Sequence, residues 1–179
     1  MFYGSIPALV TPFSGNCVDE DSLREFVEWQ IAQGSNGLVP CGTTGEVATL
    51  DSREHRRVIE ITVETARGRV PSIAGAGSFT TAATIEKMKV AKDVGADAAL
   101  VVVPYYNKPS QTGLPAHFRA AAESSDLPII VYNVPSRTVA DISVETLAEV
   151  SRLPTVVGVK DATGSLGRVS AQRLACGEE

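Results

Sequence analysis

Two hydrophobic periodicities alternate along the chain. Short apolar runs, each closed by proline, glycine or a polar cluster, predict strands over 5–10, 37–40, 71–74, 98–103, 128–132 and 156–160. Between them lie helical stripes. Leu23, Phe26, Val27 and Ile31 recur at helical spacing over 19–33, and Gly34 closes that helix. Trp29 lies off the stripe, where it would meet another subunit or a satellite cluster. Asp51 and Glu54 have the spacing of a capping box, with Asp in place of Ser or Thr. Val58, Ile59, Thr62, Val63 and Ala66 then give a second buried face, stopped by Gly68. Helices follow over 81–94, ended by Gly95, and over 114–124, and Ser143 caps one that runs to Ser151. Strand starts recur at roughly thirty residues, the size of one βαβ unit. Most of the strands are apolar on both faces, which predicts a parallel sheet with helices outside.

Two architectures fit that pattern, an open doubly wound sheet and a (β/α)8 barrel. No Gly-x-Gly-x-x-Gly turn follows the first strand, which weakens the nucleotide-binding sheet. Polar and glycine-rich segments follow strands two, four, five and six, the strand ends at which barrels carry chemistry. The expected fold class is therefore α/β, a TIM (β/α)8 barrel. A barrel typically takes about 250 residues. The chain has 179 and stops in or just after a sixth helix. Residues 1–179 are expected to be the N-terminal part of one barrel domain, its first six βα units. The last two units and any C-terminal helices would be missing.

Composition narrows the function classes. The net charge of −5 and the lack of a Lys/Arg cluster argue against a nucleic-acid partner. Cys17, Cys41 and Cys176 are odd in number and lack metal-ligand spacing, so no metal and a reducing cytoplasm are expected. Residues 1–5 do not begin a signal peptide, and no apolar stretch reaches membrane-spanning length.

The candidate chemistry centres on Val156-Val157-Gly158-Val159-Lys160-Asp161-Ala162-Thr163-Gly164. Val156 to Val159 read as a buried strand in which Val156, Gly158 and Lys160 share one face. Gly158 leaves room beside the lysine, and Ser165 is placed to cap a following helix. A lysine where apolar strand meets loop is partly desolvated. Desolvation favours the free amine, which attacks a ketone to give a Schiff base. The plainer alternative is a strand-end lysine whose head snorkels to water.

Four segments stand in order at strand ends: Gly42-Thr43-Thr44-Gly45-Glu46, Pro104-Tyr105-Tyr106-Asn107-Lys108-Pro109, Tyr132-Asn133-Val134-Pro135-Ser136-Arg137-Thr138, and Gly158 to Gly164. Together they resemble the dihydrodipicolinate synthase family, pyruvate-dependent class I aldolase barrels of lysine biosynthesis. The resemblance runs from Met1 to about Arg168. The family usually has Glu after its lysine, where this chain has Asp161, also acidic.

The resemblance implies a lyase acting on pyruvate and L-aspartate 4-semialdehyde. Lys160 would form the pyruvate Schiff base, which becomes an enamine and attacks the aldehyde. The product cyclises to 4-hydroxy-tetrahydrodipicolinate, and the covalent imine makes a cofactor unnecessary. Thr43 and Thr44 would bind the pyruvate carboxylate through turn amides; an ordinary βα turn is the alternative. Tyr132, Thr43 and Tyr106 would relay protons, with Tyr106 supplied by the neighbouring subunit of a homotetramer built as a dimer of dimers. Strand-end aromatics packing on their loops are the alternative for Tyr132 and Tyr106, and Tyr105 would sit at the dimer contact. Arg137 would receive the carboxylate of aspartate semialdehyde bidentately, and an exposed loop arginine is its alternative. Lyases of keto-acid sugars in the same superfamily keep the Tyr and Lys but generally lack this arginine, and a non-catalytic fragment is the third reading. Lysine-inhibited members bind lysine through a histidine, an asparagine, a glutamate and a tyrosine. The matching positions here are His55, Phe79, Ala83 and Tyr105. Weak or absent lysine inhibition is therefore expected, unless an acid such as Glu86 compensates. Cys41, His117 and the Gly75-Ala76-Gly77 turn receive no role.

Overall fold

The structure is a computed structural model and describes residues 2–177. Met1, Glu178 and Glu179, at the two ends of the sequence reading, lie outside those residues. The chain divides into two compact units, one holding the residues up to Gly75 with Lys89–Leu100, the other Ala76–Met88 with Val101 onward.

In the first unit a small antiparallel hairpin, β1 (Phe13–Ser14) and β2 (Cys17–Val18), precedes α1 (Glu20–Ala32). The Asp19 carboxylate caps α1 by accepting from the Ser22 amide at 3.0 Å. Leu23 and Val27 are its buried stripe, as the periodicity predicts. Trp29 is exposed and stacks on Phe26, with ring centroids 6.1 Å apart. The capping box of α2 (Ser52–Ala66) is complete: Glu54 N donates to Asp51 at 2.8 Å and Asp51 N donates to Glu54 at 2.9 Å.

The first two predicted strands are reduced to single parallel bridges, Ala8 with Val39 and Leu38 with Ser72. Proline explains the shortening, because Pro7, Pro40 and Pro71 have no N–H to donate to a ladder. The bonds at these bridges include Leu9 N to Val39 O and Val39 N to Pro7 O, both at 3.0 Å, Leu38 N to Pro71 O at 2.9 Å and Ile73 N to Leu38 O at 2.8 Å. β3 (Ile73–Gly75) then pairs in parallel with β4 (Ala98–Val102), and α3 (Thr81–Asp93) lies between them in sequence. Leu9, Leu38, Ile59, Ile73 and Ala99 are buried in this unit's core.

The second unit contains α4 (Gly113–Glu123), β5 (Ile129–Asn133), α5 (Pro135–Thr138), α6 (Val144–Val150), β6 (Val156–Asp161) and α7 (Leu166–Cys176). The sheet order is β3-β4-β5-β6, consecutive as repeated βα units demand, and β5 and β6 run parallel. The segment expected as a loop after β5 contains the helical turn α5, which Pro135 starts at the position where a helix tolerates proline. Phe118, Leu114, Ile129, Val131 and Ile142 form the core.

Two expectations for the last strand are corrected. β6 is not a buried strand: Val157 and Val159 are 49% and 38% exposed. Among the described residues β6 is an edge strand that pairs only with β5, so one side lacks cover. The ladder also shifts register, Ile129 facing Val156 while Ile130 faces Gly158, so the alternation linking Val156 to Gly158 is interrupted. Ser165 sits at the N-cap of α7 but its side chain makes no capping bond. Its amide is instead taken by the Thr163 hydroxyl at 3.2 Å.

Candidate active site

Beyond the register shift, the ladder sets Tyr132 directly opposite Lys160 on the neighbouring strand. Residues paired across a ladder project to the same face. Lys160 Nζ accordingly lies 4.6 Å from the Tyr132 ring centroid. The tyrosine is buried and the lysine is half-buried. Burial pulls the Lys160 pKa below the ordinary lysine value. A ring face favours the ammonium, yet desolvation prevails, and the amine is more easily freed than a surface lysine's. Lys160 and Tyr132 are thus the two predicted site residues in direct contact.

The next rung pairs Asn133 with Asp161 and projects to the opposite face. Asn133 is fully buried, and its Nδ2 donates to Asp141 Oδ1 at 2.8 Å. Asp161 accepts from the Thr163 amide at 2.8 Å, the Thr163 hydroxyl at 2.5 Å, Arg168 Nε at 3.0 Å and Gln172 Nε2 at 2.6 Å. Burial opposes its charge, but the Thr163 and Gln172 bonds and Arg168 outweigh it and hold the carboxyl below its usual range. Sequence reasoning missed Asn133, Asp141, Arg168 and Gln172. One signal was available: Arg168 and Gln172 are four apart on α7, the spacing that puts two donors on one helix face.

Thr43 and Thr44 are exposed in a turn whose Gly45 and Glu46 amides donate to Gly42 O and Thr43 O, each at 3.1 Å. Among the described residues no hydrogen-bond acceptor meets the Thr43 and Thr44 amides. Thr11 Oγ1 donates to Gly45 O at 2.7 Å and pins the turn from below. A Cβ on Gly45 would lie 2.9 Å from Leu9 O, so glycine is required there. Two free amides at a rigid turn can take one anion.

Tyr106 is 87% exposed, with φ +69°, in the loop after β4. Tyr105 meets Phe79 edge-on at 5.7 Å, and Asn107 Nδ2 donates to Phe79 O at 2.8 Å. Arg137 stands exposed on α5, one residue before the buried Thr138. Thr138 Oγ1 bridges the Val134 and Ala140 carbonyls at 3.1 and 2.7 Å and fixes this turn. Of the residues without a role, Cys41 is buried with φ +55°, and Gly75 is held so close to the Cys41 carbonyl that a Cβ would overlap it. His55 is buried with Nε2 2.8 Å from Gly75 O, so it is part of this unit's core. Among the described residues no group of three or more His, Cys, Asp or Glu is arranged to hold a metal, and no helix is long and apolar enough to cross a membrane.

A sequence model described as the dihydrodipicolinate synthetase family matches residues 1–179. The chain is 63% identical over 179 residues to 4-hydroxy-tetrahydrodipicolinate synthase of Phenylobacterium zucineum, covering all of this chain and 61% of that protein. It is 59% identical over the same length to the synthase of Rhizorhabdus wittichii, covering 62% of it. The chain thus spans about 62% of the length of such relatives. Among solved structures, the chloride-inhibited dihydrodipicolinate synthase of Acinetobacter baumannii, complexed with pyruvate, superposes with a TM-score of 0.96 at 49% identity. That match covers 98% of this chain and 61% of that one. The Aquifex aeolicus dihydrodipicolinate synthase gives 0.96 at 46% identity, covering 99% and 61%. The fold class is α/β, the TIM (β/α)8 barrel expected from the repeating units. With the four strand-end segments, the Tyr132–Lys160 pair and the match over its whole length, the chain belongs to the dihydrodipicolinate synthetase family.

Proposed function

We propose that the whole protein condenses pyruvate with L-aspartate 4-semialdehyde to give 4-hydroxy-tetrahydrodipicolinate, a lyase step in lysine and diaminopimelate biosynthesis. The observation that carries this reading is a lysine of lowered pKa at a strand end, in contact with a buried tyrosine. Lys160 Nζ attacks the pyruvate ketone, and loss of water leaves the imine. Removal of a methyl proton gives the enamine, which forms the new C–C bond to the aldehyde. The free Thr43 and Thr44 amides hold the pyruvate carboxylate. Tyr132 with Thr43 and Tyr106 shuttles protons, Tyr106 coming from a neighbouring subunit of a homotetramer. The exposed Arg137 fork receives the carboxylate of aspartate semialdehyde. The covalent imine stands where a cofactor would, and the enzyme works in the cytoplasm.

We read residues 1–179 as the N-terminal part of a single barrel domain and as inactive by themselves. The edge of β6 that has no partner among the described residues, and the 87% and 85% exposed Leu166 and Leu174 of α7, support that reading. A lyase of a keto-acid sugar uses the same Tyr–Lys pair, and Arg137 is the residue that argues against it. Assaying the full-length enzyme with pyruvate plus aspartate semialdehyde, and separately with pyruvate plus an aldose, decides between them. Turnover only with the semialdehyde is expected; turnover only with the sugar would reverse the assignment.

A further inference from the structure

Tyr132 and Asn133 are adjacent on β5, as Lys160 and Asp161 are on β6, yet the two rungs have opposite surroundings. The first holds the reactive pair. The second closes a ring of polar contacts. Asn133 Nδ2 donates to Asp141 Oδ1 at 2.8 Å, and Asp141 Oδ1 lies 3.4 Å from Arg168 Nη1. Arg168 Nε reaches Asp161 Oδ2 at 3.0 Å, and its Nη2 donates to the Ile142 carbonyl. Asp161 faces Asn133 across the ladder, and Ala162 N donates to Asn133 O at 2.8 Å. Asn133 is fully buried, and the Asp161 and Arg168 side chains are only 12% and 13% exposed.

Register is normally specified by a buried apolar face, and a slip of one residue turns every side chain to the other face. The β5–β6 register already shifts once, Ile129 facing Val156 while Ile130 faces Gly158, so alternation along the strand does not set it alone. A further slip would carry Lys160 away from Tyr132. A planar guanidinium bonded to a carboxylate and a carbonyl at fixed angles tolerates no such slip, and a retained buried ion pair is best explained where it sets registry.

The geometry points to Asp161, tied through Arg168 to Asp141 and Asn133, as a positioning residue that locks β6 in register so that Lys160 Nζ stays against Tyr132 during imine formation. This rests on the reading of Lys160 as the Schiff-base lysine. Asp161 itself projects away from that face and touches no reacting atom.

The test uses the full-length enzyme and follows single-turnover imine formation with pyruvate by borohydride quenching, normalised to folded protein. Asp161→Asn removes the charge, Arg168→Lys keeps the charge but not the fork, and Asp161→Glu restores a carboxylate. Displacement of a reacting group by about 1 Å costs about a hundredfold in rate. Asp161→Asn and Arg168→Lys are each expected to slow imine formation by about that factor, while Asp161→Glu recovers most of it. The double variant Asn133→Ser/Asp161→Asn should lose little more than Asp161→Asn alone, because both act on one ring. Where Asp161→Asn does not fold, Arg168→Lys carries the comparison. Rates within twofold of wild type in the folded variants, or Asp161→Glu as impaired as Asp161→Asn, would overturn the inference. A wild-type enzyme that forms no pyruvate imine would overturn the proposed function and this inference with it; wild-type imine with unaffected variants overturns this inference alone.

Discussion

Lys160 was legible as a residue because its chemistry depends on local facts: apolar neighbours before it, a polar break after it, and a glycine two residues upstream. Its partner was harder to read. That Tyr132 and Lys160 stand side by side is a matter of register between strands, and no single sequence prints its register. The Asn133–Asp161 rung was missed for the same reason. His117 had no role in the sequence, yet it is a buried titratable group with a consequence. Its Nδ1 lies 2.9 Å from Thr81 Oγ1, and its buried Nε2 meets no partner among the described residues. Burial pushes its pKa down to about 4 from 6.5. Between pH 6.5 and about 4 the unfolded chain binds a proton that the folded one refuses, so stability falls as pH falls through that window and is unaffected above it. The slope is at most about 1.4 kcal/mol per pH unit. His117→Gln is expected to flatten it, as read from thermal unfolding of the full-length enzyme at pH 7, 6 and 5. An unchanged slope in the variant would show that His117 is not the titrating group.

At the scale of elements, the helices other than the short α5 turn were read nearly to the residue, because caps are local: the Asp51–Glu54 box and Ser143 do what their positions predict. Strands were read less well. Prolines trim the first two to bridges, and the hairpin Phe13–Ser14/Cys17–Val18 is too short to leave a periodic signal. Close approach of two backbones is not visible in sequence at all. Gly75 illustrates it: its N–H donates to Pro40 O at 2.9 Å, and the Cys41 carbonyl occupies the space of any Cβ. Gly75→Ala therefore overpacks against rigid backbone and is expected to destabilise by about 3 kcal/mol, the upper part of the usual range. Gly42→Ala brings its new carbon no nearer than 3.8 Å to Val39 Cγ1 and is expected to change stability far less. Chemical denaturation of the two variants checks the contrast, and equal losses would remove the close-approach argument.

For the whole molecule, the βα repeat made the fold class legible. The proposed assembly brings the lysine response to this scale. The resemblance implies that lysine-inhibited members would place an asparagine and a glutamate where this chain has Phe79 and Ala83. Phe79 packs edge-on against Tyr105 and adds bulk where an amide would bond. Ala83 offers no carboxylate to an ammonium. Losing a hydrogen bond to a charged group, about 1.5–3 kcal/mol, weakens binding at least about tenfold. The complete enzyme is expected to be weakly inhibited or uninhibited by lysine in a steady-state titration. Half-inhibition at sub-millimolar lysine would mean that another acid, with Glu86 the nearest suspect, has replaced the lost carboxylate. Underneath the assembly and its regulation lies one covalent bond. Treating the full-length enzyme with borohydride in the presence of pyruvate, followed by peptide mass mapping, should find the reduced adduct on Lys160 and none in Lys160→Arg, which keeps the charge but cannot form the imine. An adduct recovered on Lys92 or Lys108, or trapping that survives in Lys160→Arg, would contradict the account.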